Sequence, residues 1–163
     1  MIRDLYKKLP MAPNFTYNEF VRSTLAIHNN IENIPNEQQW KNIEYVAQYV
    51  LQPVRNKFGT IFILSGFRCD ELNKKANGSK SSFHRFGNAV DFEPSNNIKM
   101  YDVLEYIALN LNFTELIAEF FPNGWIHVAL AENREHEKVI KLKDTNHNFE
   151  VVDILKLEKL YKN

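Results

Sequence analysis

The sequence predicts a mixed fold of helices and strands, and three stretches carry that prediction. Trp40, Ile43, Val46, Val50, Val54 and Phe58 recur at spacings of three and four, the period of a helix with one buried face. Thr60 to Ser65 is an apolar, β-branched run bounded by Gly59 and Gly66, which reads as a buried strand. Leu116 to Phe120 and Trp125 to Leu130 are two strand-like runs joined by the turn residues Pro122, Asn123 and Gly124.

Taken in order, Thr16 to Glu19 has the form of a capping box, so a short helix is expected to begin there. Pro35 and Asn36 open the long helical stripe. Pro53 falls inside it, lacks a backbone donor, and should kink the helix or end its regular part. Gly59 stops the helix. Gly66 to Ser82 is a polar loop in which Asp70 to Ala76 can form a short helix. Ala89 to Phe92 reads as a short strand, and Lys99 to Leu111 as a helix with Val103, Leu104, Ile107 and Leu111 inward. In the Trp125 strand, alternation places Trp125, His127 and Ala129 on one face and Ile126 and Val128 on the other. Val139 to Leu142 and Phe149 to Ile154 form a terminal hairpin through Asp144, Thr145 and Asn146, followed by a Leu- and Lys-rich tail.

With 163 residues, 44% hydrophobic and 25% charged, the chain can bury one good core and is short for two, so one domain over residues 1–163 is expected. Twenty basic and twenty acidic residues cancel, which removes any overall field toward nucleic acid or an anionic membrane. A lone cysteine, Cys69, excludes an intrachain disulfide framework and reads as a small packed residue. No window approaches the roughly 18 apolar residues of a membrane span, and the start MIRDLYKKLPMAPNF has no signal-peptide core. The expectation is a monomer made in the cytoplasm without a signal peptide.

Chemistry concentrates in Ser82 to Asp91 and Trp125 to Val128, which together hold two imidazoles and a carboxylate: His84, Asp91 and His127. Neutral imidazole and carboxylate suit zinc, and a site with three protein ligands keeps a fourth position open for water or substrate. His84 and Asp91 alone read equally well as a hydrogen-bonded pair, and His127 alone as a satisfied core histidine. A serine-nucleophile set of Ser82, His84 and Asp91 leaves His127 unexplained and lacks a nucleophile elbow.

Phe15 to Phe20, Arg22-Ser23, Leu51 to Arg55, Ser65 to Arg68, Leu72 to Lys74, Gly78 to His84, Gly87 to Asp91 and Trp125 to Val128 form an ordered set. Over about residues 15–131 that set resembles the zinc peptidases that cleave peptidoglycan peptides, the D-alanyl-D-alanine carboxypeptidases and phage L-alanyl-D-glutamate endopeptidases. Residues 132–163 fall outside it. The resemblance implies a small α+β domain, a central mainly antiparallel sheet with helices packed on it and the zinc site on the sheet. It implies His84, Asp91 and His127 as Zn2+ ligands, and Arg68 as the arginine that meets substrate or the charge developing on the scissile carbonyl. Ser82, two residues before His84, is a candidate for substrate contact from the same face of a strand-like segment, and Trp125 for the cleft wall.

Many of these relatives carry a Glu or Asp three residues before the last histidine as the general base for the attacking water. Here that residue is Gly124. Glu119 is the replacement candidate, because the Pro122 to Gly124 turn folds its strand back beside Trp125, and the phage-type branch resembles this Ile-x-Glu-Phe arrangement. Glu115, Glu93 and Glu132 are substitutes that read more simply as solvated charges, and His28, His136 and His147 read as surface histidines. The implied activity is hydrolysis of peptidoglycan stem peptides by a phage lysin or virion-associated wall hydrolase, acting at the bacterial cell wall or carried in a phage particle. The alternative, favoured by Gly124, is a non-catalytic metal-stabilised wall-binding or virion structural module.

Overall fold

A computed structural model describes residues 3–132 and 140–162. The N-terminus forms a hairpin of β1 (Lys8–Leu9) and β2 (Ala12–Thr16), for which the sequence offers no strong periodic signal. The centre is a six-stranded sheet of β3 (Ile61–Ser65), β4 (Ala89–Pro94), β5 (Glu115–Glu119), β6 (Trp125–Ala129), β7 (Ile140–Lys143) and β8 (Phe149–Val152). Their spatial order is β3-β4-β6-β5-β7-β8. Neighbours are antiparallel except β5 and β7, which run parallel. The fold is therefore α+β with a mostly antiparallel sheet.

The capping box at Thr16 forms: Glu19 accepts the Thr16 N–H at 2.7 Å and starts α1 (Tyr17–Val21). A second short helix, α2 (Thr24–His28), begins at Ser23, whose hydroxyl accepts from Ala26. The long apolar stripe becomes α3 (Glu37–Val46), a wider π-helical turn at Ala47–Leu51, and α4 (Gln52–Phe58). Pro53 does not break this rod. The carbonyl that its ring would crowd, four residues back at Tyr49, lies inside the widened turn, so the irregularity is absorbed there. The Asp70 to Ala76 segment is the helix α5 (Asp70–Lys75), and the Lys99 segment is α6 (Met100–Asn110).

Alternation divides the sheet. Val90, Phe92, Leu116, Ala118, Ile126 and Val128 point to one face and join Val46, Val50, Val54, Leu104 and Ile107 in a single buried cluster. Burying each large apolar side chain contributes about 1.5–3 kcal/mol, so the helical face holds the sheet in place. The other face carries Asp91, Glu115, Ile117, Glu119, Trp125 and His127 and forms the floor of an open cleft.

One local expectation changes, and one segment for which the sequence predicts no conformation gains one. The Thr60 to Ser65 run is a sheet-edge strand and not one buried on both sides: Ile61 and Ile63 are buried, whereas Phe62 and Leu64 are 48% and 46% exposed. Only one face of that edge has helices against it. The Leu- and Lys-rich tail is the helix α7 (Ile154–Lys162), docked by fully buried Leu157 and by Tyr161 stacked on Tyr101 at 5.5 Å. The terminal hairpin forms as β7 and β8, with Asp144 accepting the N–H groups of Asn146 and Asn148 in its turn; Val139 lies outside the described residues.

Candidate metal centre

Two adjacent strands and one tight turn bring the site together. Asp91 of β4 lies directly opposite His127 of β6, and Ile117 of β5 lies opposite His127 on its other side. His84 arrives from the 3-10 turn Phe83–Phe86. Gly87 closes that turn at φ 74°, and a β-carbon there would meet the Gln39 carbonyl oxygen at 2.5 Å, so glycine is required twice over. Ser82 therefore starts a helical turn and does not share a strand face with His84, although it still lines the cleft.

His84 Nδ1 lies 2.6 Å from the Gly66 carbonyl oxygen. A carbonyl only accepts, so Nδ1 carries the proton and Nε2 presents its lone pair inward. His84 Nε2 is 3.2 Å from Asp91 Oδ1 and 3.2 Å from His127 Nδ1, and His127 Nδ1 is 2.8 Å from Asp91 Oδ1. Tetrahedral ligands about 2.0–2.1 Å from zinc stand roughly 3.3 Å apart, so this triangle has the size of one face of a zinc coordination shell. All three residues are buried, and among the described residues no other group of this kind can hold a metal ion.

Burial and mutual proximity shift the protonation of all three residues. Burial lowers the His84 pKa, outweighing the pull of Asp91. Burial alone would raise that of Asp91, but His84 and His127 hold it well below the usual carboxylate value. Burial also works to lower His127, yet hydrogen bonding and charge from Asp91 and Glu115 push it up to about 9. A divalent cation would displace the proton from His127 and supply the positive charge that Asp91 faces.

The surrounding shell is ordered. Arg68 donates from Nη2 to Asp91 Oδ2 at 2.8 Å and from Nε to Ser65 Oγ at 2.8 Å, which leaves Asp91 Oδ1 for the cluster. Among the described residues no acceptor meets Arg68 Nη1. Glu119 is 8% exposed, pairs with Lys143 Nζ at 2.8 Å and stands directly across from Trp125. The cleft, about 1000 Å³, is lined by these groups together with Ser82 and Phe149.

Several contributors escaped the sequence. Glu115 is not a solvated charge: it is half-buried, 3.3 Å from His127 Nε2 and 3.2 Å from Lys141. The alternation Glu115, Ile117, Glu119 already placed it on the Glu119 face, which was the available signal. Lys141 and Lys143 come from β7, whose parallel docking beside β5 has no local signature. Glu93 and Glu132 are exposed, as is His28; His147 is exposed but borders the cleft, and His136 lies outside the described residues.

Gly124 also has a structural reason. A β-carbon at 124 would stand 1.9 Å from the Glu119 carbonyl oxygen, so the turn between β5 and β6 admits no side chain there.

Among the described residues no helix is long and apolar enough to cross a membrane. No curated protein matches the sequence. The family model for peptidase M15 matches residues 13–129, which spans more than half of the chain and includes every member of the His84, Asp91 and His127 cluster. The chain belongs to the peptidase M15 family, a family of zinc peptidases.

Proposed function

We propose that this protein is a zinc-dependent peptidase that cleaves peptide bonds in bacterial peptidoglycan stem peptides, in the manner of a phage lysin or virion-associated wall hydrolase. The observation that carries this reading is the triangle of His84 Nε2, Asp91 Oδ1 and His127 Nδ1 on the floor of an open cleft, with edges of 2.8–3.2 Å.

His84, Asp91 and His127 would hold the metal. Zinc, when bound, supplies a Lewis acid that makes water more acidic and polarises a carbonyl. Glu119 takes a proton from the attacking water and returns it to the leaving amine. Its position supports the role: it is a carboxylate on the same sheet face as His127, two residues along β5 from Ile117, which pairs with His127. Lys143 keeps that carboxylate aimed into the cleft. Arg68 fixes Asp91 and lines the cleft, where its positive charge would stabilise negative charge developing on the scissile carbonyl. Ser82 and Trp125 line the substrate path.

Mass spectrometry of purified muropeptides after incubation with the zinc-loaded protein tests this, with Glu119→Gln alongside. A defined mass loss that disappears in the variant supports the peptidase and identifies the bond. Intact muropeptides from several wall chemotypes, despite bound zinc, would favour a metal-stabilised wall-binding module.

A further inference from the structure

His127 offers Nδ1 to the cluster, which leaves its Nε2 as a buried polar atom without a well-aligned hydrogen bond among the described residues. One carboxylate stands in ion-pair range of that atom: Glu115 Oε1 at 3.3 Å. The other Glu115 oxygen, Oε2, accepts from Lys141 Nζ at 3.2 Å. The chain thus runs Lys141, Glu115, His127, and ends at the metal-capable triangle.

We infer that Glu115 is the positioning residue for His127 and that Lys141, on the C-terminal hairpin, anchors it, so that the hairpin is part of the metal centre. This rests on the reading of His127 as a metal ligand. Register makes the arrangement possible: Ile117 pairs with His127 on one side and with Lys141 on the other, and Glu115 stands two residues away on the same sheet face. The chemistry requires such a partner. A ligating imidazole is neutral, so a metal on Nδ1 leaves the proton on Nε2, and that proton needs an acceptor inside the protein. A carboxylate there fixes the tautomer, orients the ring and makes Nδ1 a stronger donor. Lys141 lies beyond residues 13–129, the part matched by the family model, so this support is a feature of the chain's own C-terminal segment.

Zinc affinity, read by competition with a chromophoric chelator at fixed pH, tests the inference on the full chain. The variants are Glu115→Gln, Glu115→Ala and Lys141→Met. Glu93→Gln removes a charge from an exposed position two residues from Asp91 and serves as the electrostatic control. The expected result is a loss of about 10- to 100-fold for Glu115→Ala, a smaller loss for Glu115→Gln and Lys141→Met, and no change for Glu93→Gln. Nitrogen-15 NMR of the zinc-loaded wild type adds a readout that needs no variant to fold: His127 should carry its proton on Nε2. Wild-type zinc binding with unaltered affinity in all variants would overturn the inference and leave the ligand assignment standing; a proton on His127 Nδ1 in the zinc-loaded protein would overturn the assignment of that nitrogen as a ligand, and the inference with it. Failure of the wild type to bind zinc would overturn the ligand assignment and this inference with it.

Discussion

Gly124 and Glu119 are in backbone contact across the turn between β5 and β6, so close that a β-carbon at 124 would stand 1.9 Å from the Glu119 carbonyl oxygen. The tight turn that excludes a side chain at 124 is also the one that folds β5 back and sets the Glu119 side chain on the cleft face. The absence of an acidic residue at 124 thus has a geometric cause, and the carboxylate nearest that turn on the cleft face is Glu119.

Gly124→Glu, which inserts a carboxylate at that position, is expected to destabilise the protein by about 3 kcal/mol or more, because the clash is with backbone that cannot rotate away. Urea unfolding checks this. Unchanged stability would mean that the turn has room for a side chain at 124.

Glu119→Gln preserves the volume and removes the proposed base. Hydrolysis of muropeptides should fall roughly 100- to 10,000-fold while zinc affinity stays within a few-fold of wild type. Equal loss of both would place Glu119 in the metal shell instead.

Arg68→Lys keeps the charge but cannot make both the Ser65 and Asp91 bonds in the same geometry. The expected outcome is about tenfold weaker zinc binding, from a loosened Asp91, with a larger fall of about 100-fold in kcat/KM. Titration with chelator and steady-state kinetics separate the two.

The metal-free protein should lose stability as pH rises from about 6.5 toward 9. His127 is raised from 6.5 to about 9 in the folded state, so its contribution is full below 6.5 and disappears as pH passes through its folded value. Asp91 runs the other way: its contribution is present above the unfolded value of 3.8 and is lost as pH falls through its depressed folded value. His84, lowered on folding, likewise contributes above 6.5 and loses that contribution at lower pH. Above 6.5 the net trend is therefore set by His127, and thermal unfolding of chelator-treated protein across pH 6 to 10, alongside His127→Gln, measures it. Zinc binding in the same range should release about one proton, seen as a buffer-dependent heat.

Phe92 follows Asp91 in β4 and is fully buried on the opposite face. Phe92→Ala should cost about 3–5 kcal/mol in unfolding experiments. A smaller cost would show that the helices do not brace the strand bearing Asp91.

Much of this was legible along the chain. The stripe from Trp40 to Phe58, the capping box at Thr16, the edges of β5 and β6 and the inward face of α6 are local patterns, and local patterns report helix and strand directly. The candidate ligands stood out as residue types in apolar or glycine-bearing segments. What misled was also local. Ser82 and His84, two apart, suggested a strand where a 3-10 turn forms, and Thr60 to Ser65 was apolar enough to look buried on both faces although it ends at the sheet edge.

By itself the sequence determined the longer helices and most of the central strands, the α+β mixture and the identity of the groups able to bind a cation, because side-chain periodicity and turn chemistry act over a few residues. Tertiary structure alone decided that Asp91 pairs with His127, that the Gly66 carbonyl sets the His84 tautomer, and that β7 docks parallel to β5 with Lys141 and Lys143 on Glu115 and Glu119. Those contacts join residues far apart in the chain. Their geometry comes from strand register, and register is fixed when the opposite face of the sheet is buried as a whole.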